Sequence, residues 1–423
     1  MSWNRRRVLG AAVGAPLGLR VGAAMGADDR GETPRAVSVA ELAKVAAAPV
    51  LRAEELPAPV TIAAMELLRN GREFLVRVRD RDGVEGMSAT NSMHMVYLHP
   101  IFVGRIAPFF AGKDARQLED LLWELYRHAD NYKYQGLALW VCVAAAEIAV
   151  LDLLGKKAGK PAGELLGGVK RREIAVYTAS GTRGNTPEEE LADLKKLVAE
   201  SGAKALKFRL GGRMRRDSAD SRPGRSEALI PMVREAFGPD MTLYADSNSS
   251  YDAEEAIRIG RIMEKYQYAF YEEPCHFDDL EATRAVAEAL AIPVALGEQE
   301  SSEAGFRRMI AMRAADIVQP DLHYYGGFIR SLRVARMAAA AGMPCTPHMS
   351  GSGLGYLDAA HFASLLDNPV PFTEYKGNSA IPISSPTSSL KPEGGIVRIP
   401  TGPGFGITID PAYLHEARPV RAS

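Results

Sequence analysis

Tyr244-Ala245-Asp246, Phe270-Tyr271-Glu272-Glu273-Pro274 and Ala295-Leu296-Gly297-Glu298-Gln299 are three short apolar runs, and each closes on a carboxylate. Asp246, Glu272 and Glu298 follow one another at intervals of 26 residues, with a helix-like segment filling each gap. A strand, a helix and two turns take about that length in a barrel of alternating βα units. Equal spacing therefore puts the three acids at the same end of three consecutive parallel strands. Hard oxygen ligands converging there make a site for Mg²⁺, with Mn²⁺ as the second choice.

Outward from this stretch, apolar runs recur near residues 174–179, 205–210, 242–246, 269–272, 293–298, 317–320, 344–347 and 372–375, separated by amphipathic segments. Such alternation is compatible with a doubly wound sheet as well as a barrel. Polar residues end nearly every run, however, and in a barrel those positions line one mouth. The expectation is an α/β fold with a parallel barrel over 171–375. Before it, two strand-like runs flank Asn70-Gly71, a strong hairpin signal, and Asp82-Gly83 leads to a third. Helical patterns follow over 115–127 and 137–154, with Gly155 as a C-cap candidate. Residues 57–170 thus read as a small α+β unit. Residues 376–423 are rich in Ser, Pro and Gly and are expected to return to it.

The chain of 423 residues carries 51 basic and 52 acidic side chains, a balance that gives no reason to expect a nucleic-acid or anionic-membrane partner. Cys142, Cys275 and Cys345 are odd in number and far apart, so they read as buried small hydrophobes. Residues 1–27, with Arg5-Arg6-Arg7 before an acid-free Ala/Gly-rich stretch, resemble a twin-arginine export signal. The expected location is periplasmic, or cytoplasmic if the signal is inactive. Residues 28–56 read as a mobile linker. No membrane span is expected. The expected partners are a small-molecule carboxylate substrate and further copies of the chain.

In Ala205-Leu206-Lys207-Phe208-Arg209-Leu210, strand alternation puts Lys207 and Arg209 on one face. The apolar set must pack on helices, so both cations point into the barrel, toward the acids that compensate them. A structural ion-pair network is the competing reading. Asp321 ends the sixth run and His348 the seventh, so adjacent strands bring them together as a general-base dyad. Glu374 ends the eighth run, either as a protonated acid facing substrate or as a partner of Lys376 or Arg209.

Taken in order, Lys207-x-Arg209, Asp246, Glu272 in Glu-Glu-Pro, Glu298 in Gly-Glu, Asp321 with His348, and Glu374 resemble the enolase superfamily, and within it the mandelate racemase subgroup. The resemblance runs from about residue 57 to 415. It implies a modified (β/α)₇β barrel under an α+β capping domain, with Mg²⁺ on the three acids. It also implies abstraction of a proton α to a carboxylate, giving an enediolate. Lys207 would hold the carboxylate oxygen and His348 would take the proton.

Arg209 departs from the racemase pattern, which has a second lysine there. A guanidinium is a poor base near neutrality. Racemisation needs an acid/base group on each face, whereas dehydration needs one base and an acid for the leaving hydroxyl. The expected activity is a hydro-lyase acting on an aldonic or aldaric sugar acid. A racemase, epimerase or cycloisomerase is the alternative, and a binding protein without catalysis a third reading. Specificity is expected from a loop over 89–97 carrying Asn91, Ser92 and His94, with Tyr132 to Tyr134 as a second region. Asn248, His276, His323 and Tyr324 lie just past strand ends and are further substrate-contact candidates.

Overall fold

The computed structural model describes residues 37–215, 219–350, 353–377 and 379–421. The export signal expected over residues 1–27 lies outside the described residues.

Strands β1 (Ile62–Asn70), β2 (Glu73–Asp80) and β3 (Glu85–Ala89) form an antiparallel meander. Gly71, at φ +59°, supplies the left-handed residue that the first tight turn requires. Alternation along β2 sends Phe74, Val76 and Val78 into the main core, and Leu75 to the opposite face with Leu68 and Ala89. The helix Gly136–Ala158 lies across β2 and β3, with every residue from Leu139 to Gly155 buried. It is long and apolar enough to cross a membrane, yet it is the core helix of this unit. The expected C-cap at Gly155 is displaced to Gly159, at φ +64°. Gly155 is internal, where a Cβ would come within 2.7 Å of the Gly404 Cα.

The barrel strands are β4 (Glu173–Ala179), β5 (Ala205–Arg209), β6 (Thr242–Asp246), β7 (Phe270–Glu272), β8 (Val294–Leu296) and β9 (Ile317–Val318), parallel and in sequence order. A seventh position is reduced to single bridges: Cys345 pairs with Val318 and Pro369, and His348 with Asp321. Strand β10 (Thr373–Glu374) pairs with β4 and closes the ring. Inside, Tyr177, Tyr244 and Phe270 fill the lumen, the last two stacked at 3.9 Å. Leu206 and Phe208 face the helical shell instead, which leaves Lys207 directed inward. The interior is thus a packed core and the chemistry is confined to one mouth.

After the barrel, β11 (Ile383–Ser384) pairs with β13 (Thr408–Ile409), β12 (Ile396–Arg398) runs antiparallel to β4, and β14 (Arg418–Pro419) adds antiparallel to β1. Two further sequence expectations are corrected. The described part of the 28–56 linker is ordered: Ser38 and Glu41 form a capping box for the helix Val39–Ala46, which buries Leu42 and Ala46. Arg336 then holds the Ala48 and Pro49 carbonyls, and Glu119 accepts from the Val50 and Leu51 amides. The loop expected over 89–97 is in large part a helix, Ser92–Ile101.

Candidate active site

Strand register assembles the mouth. Arg209 pairs with Asp246 across β5 and β6, and Asp246 with Glu272 across β6 and β7, so three charged side chains share one rim. Glu298 comes from the loop beyond β8, and His348 from the seventh position. All but Arg209, which is partly exposed, are buried: Lys207, Asp246 and Glu272 have no exposed surface, and Glu298 and His348 are 4% exposed.

Lys207 Nζ donates to both Glu272 oxygens, at 2.8 and 3.0 Å, and to Glu374 Oε2 at 3.2 Å. Burial works against the ammonium, but Glu272 and Glu374 outweigh it and hold Lys207 protonated, well above its ordinary range. Arg209 is ion-paired with Asp246. Burial opposes its charge too, yet Glu374, Glu272 and Glu298 raise it above the ordinary arginine value. Glu374 also contacts Lys376 at 3.1 Å, and the Tyr177 hydroxyl donates to it at 3.4 Å. Although burial pushes Glu374 up, Lys207 and Lys376 take it well below the usual carboxylate range. In this arrangement Glu374 is ion-paired with Lys207 and Lys376.

His348 Nδ1 lies 2.8 Å from Asp321 Oδ2. Asp321 is itself fixed by the amides of His323 at 2.8 Å, Tyr324 at 2.9 Å and Ser350 at 3.2 Å. An aspartate so held accepts from Nδ1–H, which leaves Nε2 as the working nitrogen. Nε2 is 3.0 Å from Glu298 Oε2. Burial lowers the basicity of His348, but Glu298 and Asp321 outweigh it and raise the ring above the ordinary histidine value.

Ligand atoms of Glu272, Glu298 and His348 lie within 4.8 Å of one another, a grouping that can hold a metal ion. This differs from the expected set, because Asp246 is turned to Arg209 and Asn248 instead. The donor chemistry fits a hard divalent cation. Burial, joined by the charge of Glu272, pushes Glu298 up, and burial with Glu298 and Glu272 pushes neighbouring Glu273 well up. Glu273 Oε1 is buried without a hydrogen-bond donor, and Glu298 Oε2 has only the ion-pair contact with His348 Nε2. Crowded, under-satisfied carboxylate oxygens are what such a cation relieves.

The remaining candidates divide. Asn248 belongs to the rim, bonding Asp246 through its amide N–H (2.7 Å) and Nδ2 (3.1 Å). His94 Nε2 meets the Tyr324 hydroxyl at 2.9 Å, which brings the cap to the barrel mouth, and Asn91 Nδ2 reaches the Ser350 carbonyl at 3.5 Å. Ser92 instead ties its hydroxyl to Glu73 and the Phe74 amide. His276 is exposed beside Asp278, and His323 turns away to Asp358. Tyr132 packs by Tyr126, and Tyr134 receives a hydrogen bond from Arg105. Arg183 and Glu273 were not singled out from the sequence. Glu273 is adjacent to a chosen acid, and Arg183 follows the first barrel run, the position at which other runs end in polar residues.

The family profile "Enolase C-terminal domain-like" matches residues 189–413, and "Mandelate racemase / muconate lactonizing enzyme, N-terminal domain" matches 46–167. Arabinonate dehydratase of Saccharolobus solfataricus is 29% identical over 72% of this chain and 79% of its own length. D-galactarolactone cycloisomerase of Agrobacterium fabrum is 30% identical over 86% and 95%. Among solved structures, a mandelate racemase/muconate lactonizing protein from Paracoccus denitrificans PD1222, complexed with magnesium, superposes with a TM-score of 0.77 at 27% identity, covering 86% of this chain and all of the other.

Proposed function

The chain belongs to the enolase superfamily, in its mandelate racemase/muconate lactonizing group, and on that premise we propose that it dehydrates an aldonic or aldaric acid to a 2-keto-3-deoxy acid. The observation that carries this reading is the pair of unlike groups facing the mouth. His348 is built as a base, whereas Arg209 is a guanidinium that its carboxylate neighbours keep charged. One competent base suits elimination better than exchange on two faces of a carbon.

Glu272 and Glu298 would hold Mg²⁺, with Asp246, which here turns to Arg209, as the proposed third ligand, and the ion would supply positive charge that makes the α-proton of a bound carboxylate more acidic. Lys207 Nζ, kept protonated among acids, hydrogen-bonds the same carboxylate and steadies the charge that develops on it. His348 Nε2 removes the α-proton, and Asp321 holds the ring in the matching tautomer and stabilises the imidazolium. The same Nε2 then gives that proton to the β-hydroxyl, which leaves as water on the same face. The resulting enol tautomerises to the 2-keto acid. Arg209 stays a cation throughout and orients a substrate oxygen.

A cycloisomerase is the second reading, favoured by the identity to the Agrobacterium fabrum relative over most of both chains. The test is a panel of sugar acids and their lactones with Mg²⁺. Semicarbazide-reactive keto acid from open-chain acids supports dehydration. Turnover of lactones alone supports the second reading, and α-proton exchange into D₂O without keto product supports epimerisation.

A further inference from the structure

Arg183 follows β4 in the segment Ser180-Gly181-Thr182-Arg183 and reaches over the barrel mouth. One of its terminal nitrogens donates to Asn248 Oδ1, while Asn248 Nδ2 donates to Asp246 at 3.1 Å. The guanidinium therefore lies one amide group beyond the rim of acids. Its Nε is buried and has no hydrogen-bond partner, and among the described residues no carboxylate forms an ion pair with it.

A structural arginine looks different, and Arg225 on the same side of the barrel shows how. Arg225 donates to the Asn185 carbonyl, the Asn185 side chain and the Arg209 carbonyl, and it lies 3.6 Å from Glu190. Its charge and its donors are both spoken for. Arg183 instead has three further guanidiniums, Arg209, Arg213 and Arg225, within electrostatic reach, set against one acid, Glu298. Burial, together with Arg209 and Arg213, pulls Arg183 down to about 9, so it remains charged near neutrality. Arg209 is ion-paired with Asp246, and Arg213 is exposed to water. Arg183 is half-buried and forms no ion pair among the described residues, with Glu298 acting on it only from a distance, and a like-charged cluster of this kind costs free energy until a closer anion is provided. No carboxylate among the described residues bonds Arg183 directly, so a ligand is the natural source of that anion.

We propose that Arg183 is the receptor for the second carboxylate of an aldaric acid, and hence that the chain acts on diacids in preference to the corresponding aldonic acids. The inference rests on the sugar-acid reading above and narrows it. An aldonate would place a neutral primary alcohol where Arg183 waits. A diacid places a planar carboxylate, which a guanidinium can bind through two parallel hydrogen bonds.

The experiment compares configurationally matched pairs, such as glucarate with gluconate and galactarate with galactonate, in wild type, Arg183→Met and Arg183→Lys, each first confirmed to be folded by thermal melting. The expected result is a wild-type kcat/KM ratio favouring the diacid of at least one pair. That ratio should fall by about tenfold or more in Arg183→Met, chiefly through KM, and partly recover in Arg183→Lys. A ratio near one in wild type, or the same ratio in Arg183→Met, overturns the inference while leaving dehydration intact. So does an equal loss for both acids, which would place Arg183 on the first carboxylate. If no acid is turned over, the functional reading itself fails. Calorimetric binding of the same pairs to Mg²⁺-loaded His348→Asn still decides the inference, because equal affinities would refute it.

Discussion

Arg209→Lys replaces a guanidinium with an amine of the same charge, beside Asp246 and on the rim facing His348. At pH 8 an ordinary guanidinium, pKa about 12.5, is a free base in roughly one molecule in thirty thousand. The carboxylates around Arg209 raise its value, so its own fraction is smaller still. An ordinary lysine amine, pKa about 10.4, is free in roughly one molecule in 250. The substitution therefore raises the population of a second base about a hundredfold or more while keeping a cation against Asp246. The assay is ¹H NMR in D₂O with a substrate of the wild-type enzyme and Mg²⁺. Wild type should give keto acid with little deuterium at Cα of the unreacted acid and no epimer. Arg209→Lys should exchange or epimerise the α-carbon about a hundredfold faster relative to wild type. Epimer formed by wild type at a rate close to that of keto acid would refute the argument, because Arg209 would then be acting as a base.

Three further outcomes follow from the same geometry. His348→Asn should cut turnover by about 10²–10⁴-fold while retaining Mg²⁺ affinity measured by calorimetry; loss of that affinity would make His348 a metal ligand and not the base. Glu298→Gln should weaken Mg²⁺ binding by about tenfold or more, and unchanged affinity would remove Glu298 from the ligand set. His361 is buried, and burial lowers it to about 4. Its folded value lies below the ordinary histidine value, so the stability it contributes is present above about pH 6.5 and is lost as pH falls toward 4, about 3 kcal/mol in all. Between pH 7 and pH 4, urea unfolding should show wild type losing more stability than His361→Leu by about that amount; equal losses in the two proteins would exclude it.

Most of the barrel was legible because its signal is local and repeated. Each run is short and apolar with a polar end, and the inward face of β5 follows from Leu206 and Phe208 needing a hydrophobic partner. The dyad was legible because Asp321 and His348 end consecutive runs, and here they bridge. What the pattern concealed is set by pairings distant in the chain. Asp246 turns to Arg209 because strand register places them opposite each other, which no one-dimensional spacing reveals. Arg183 is identified by a buried Nε that has no acceptor among the described residues, visible only when its neighbours are in place. The helix Val39–Ala46 was a different kind of miss. Its Ser38-x-x-Glu41 capping box was readable, but the Ala/Glu/Pro composition around it masked one buried leucine.

The pairing of β14 with β1 joins residues 418–419 to residues 68–69, so the capping sheet is made from two segments far apart in the chain. For protein engineering, that makes the cap a split module. A chimera that takes a cap from another member of the group must carry two separate pieces of sequence, the leading segment and the last strand. A chain shortened before Arg418 would leave the outer edge of β1 open to pairing with a second molecule. Recombination at a single crossover, the simplest route by which such enzymes could exchange substrate-facing loops, would therefore produce caps with mismatched edges.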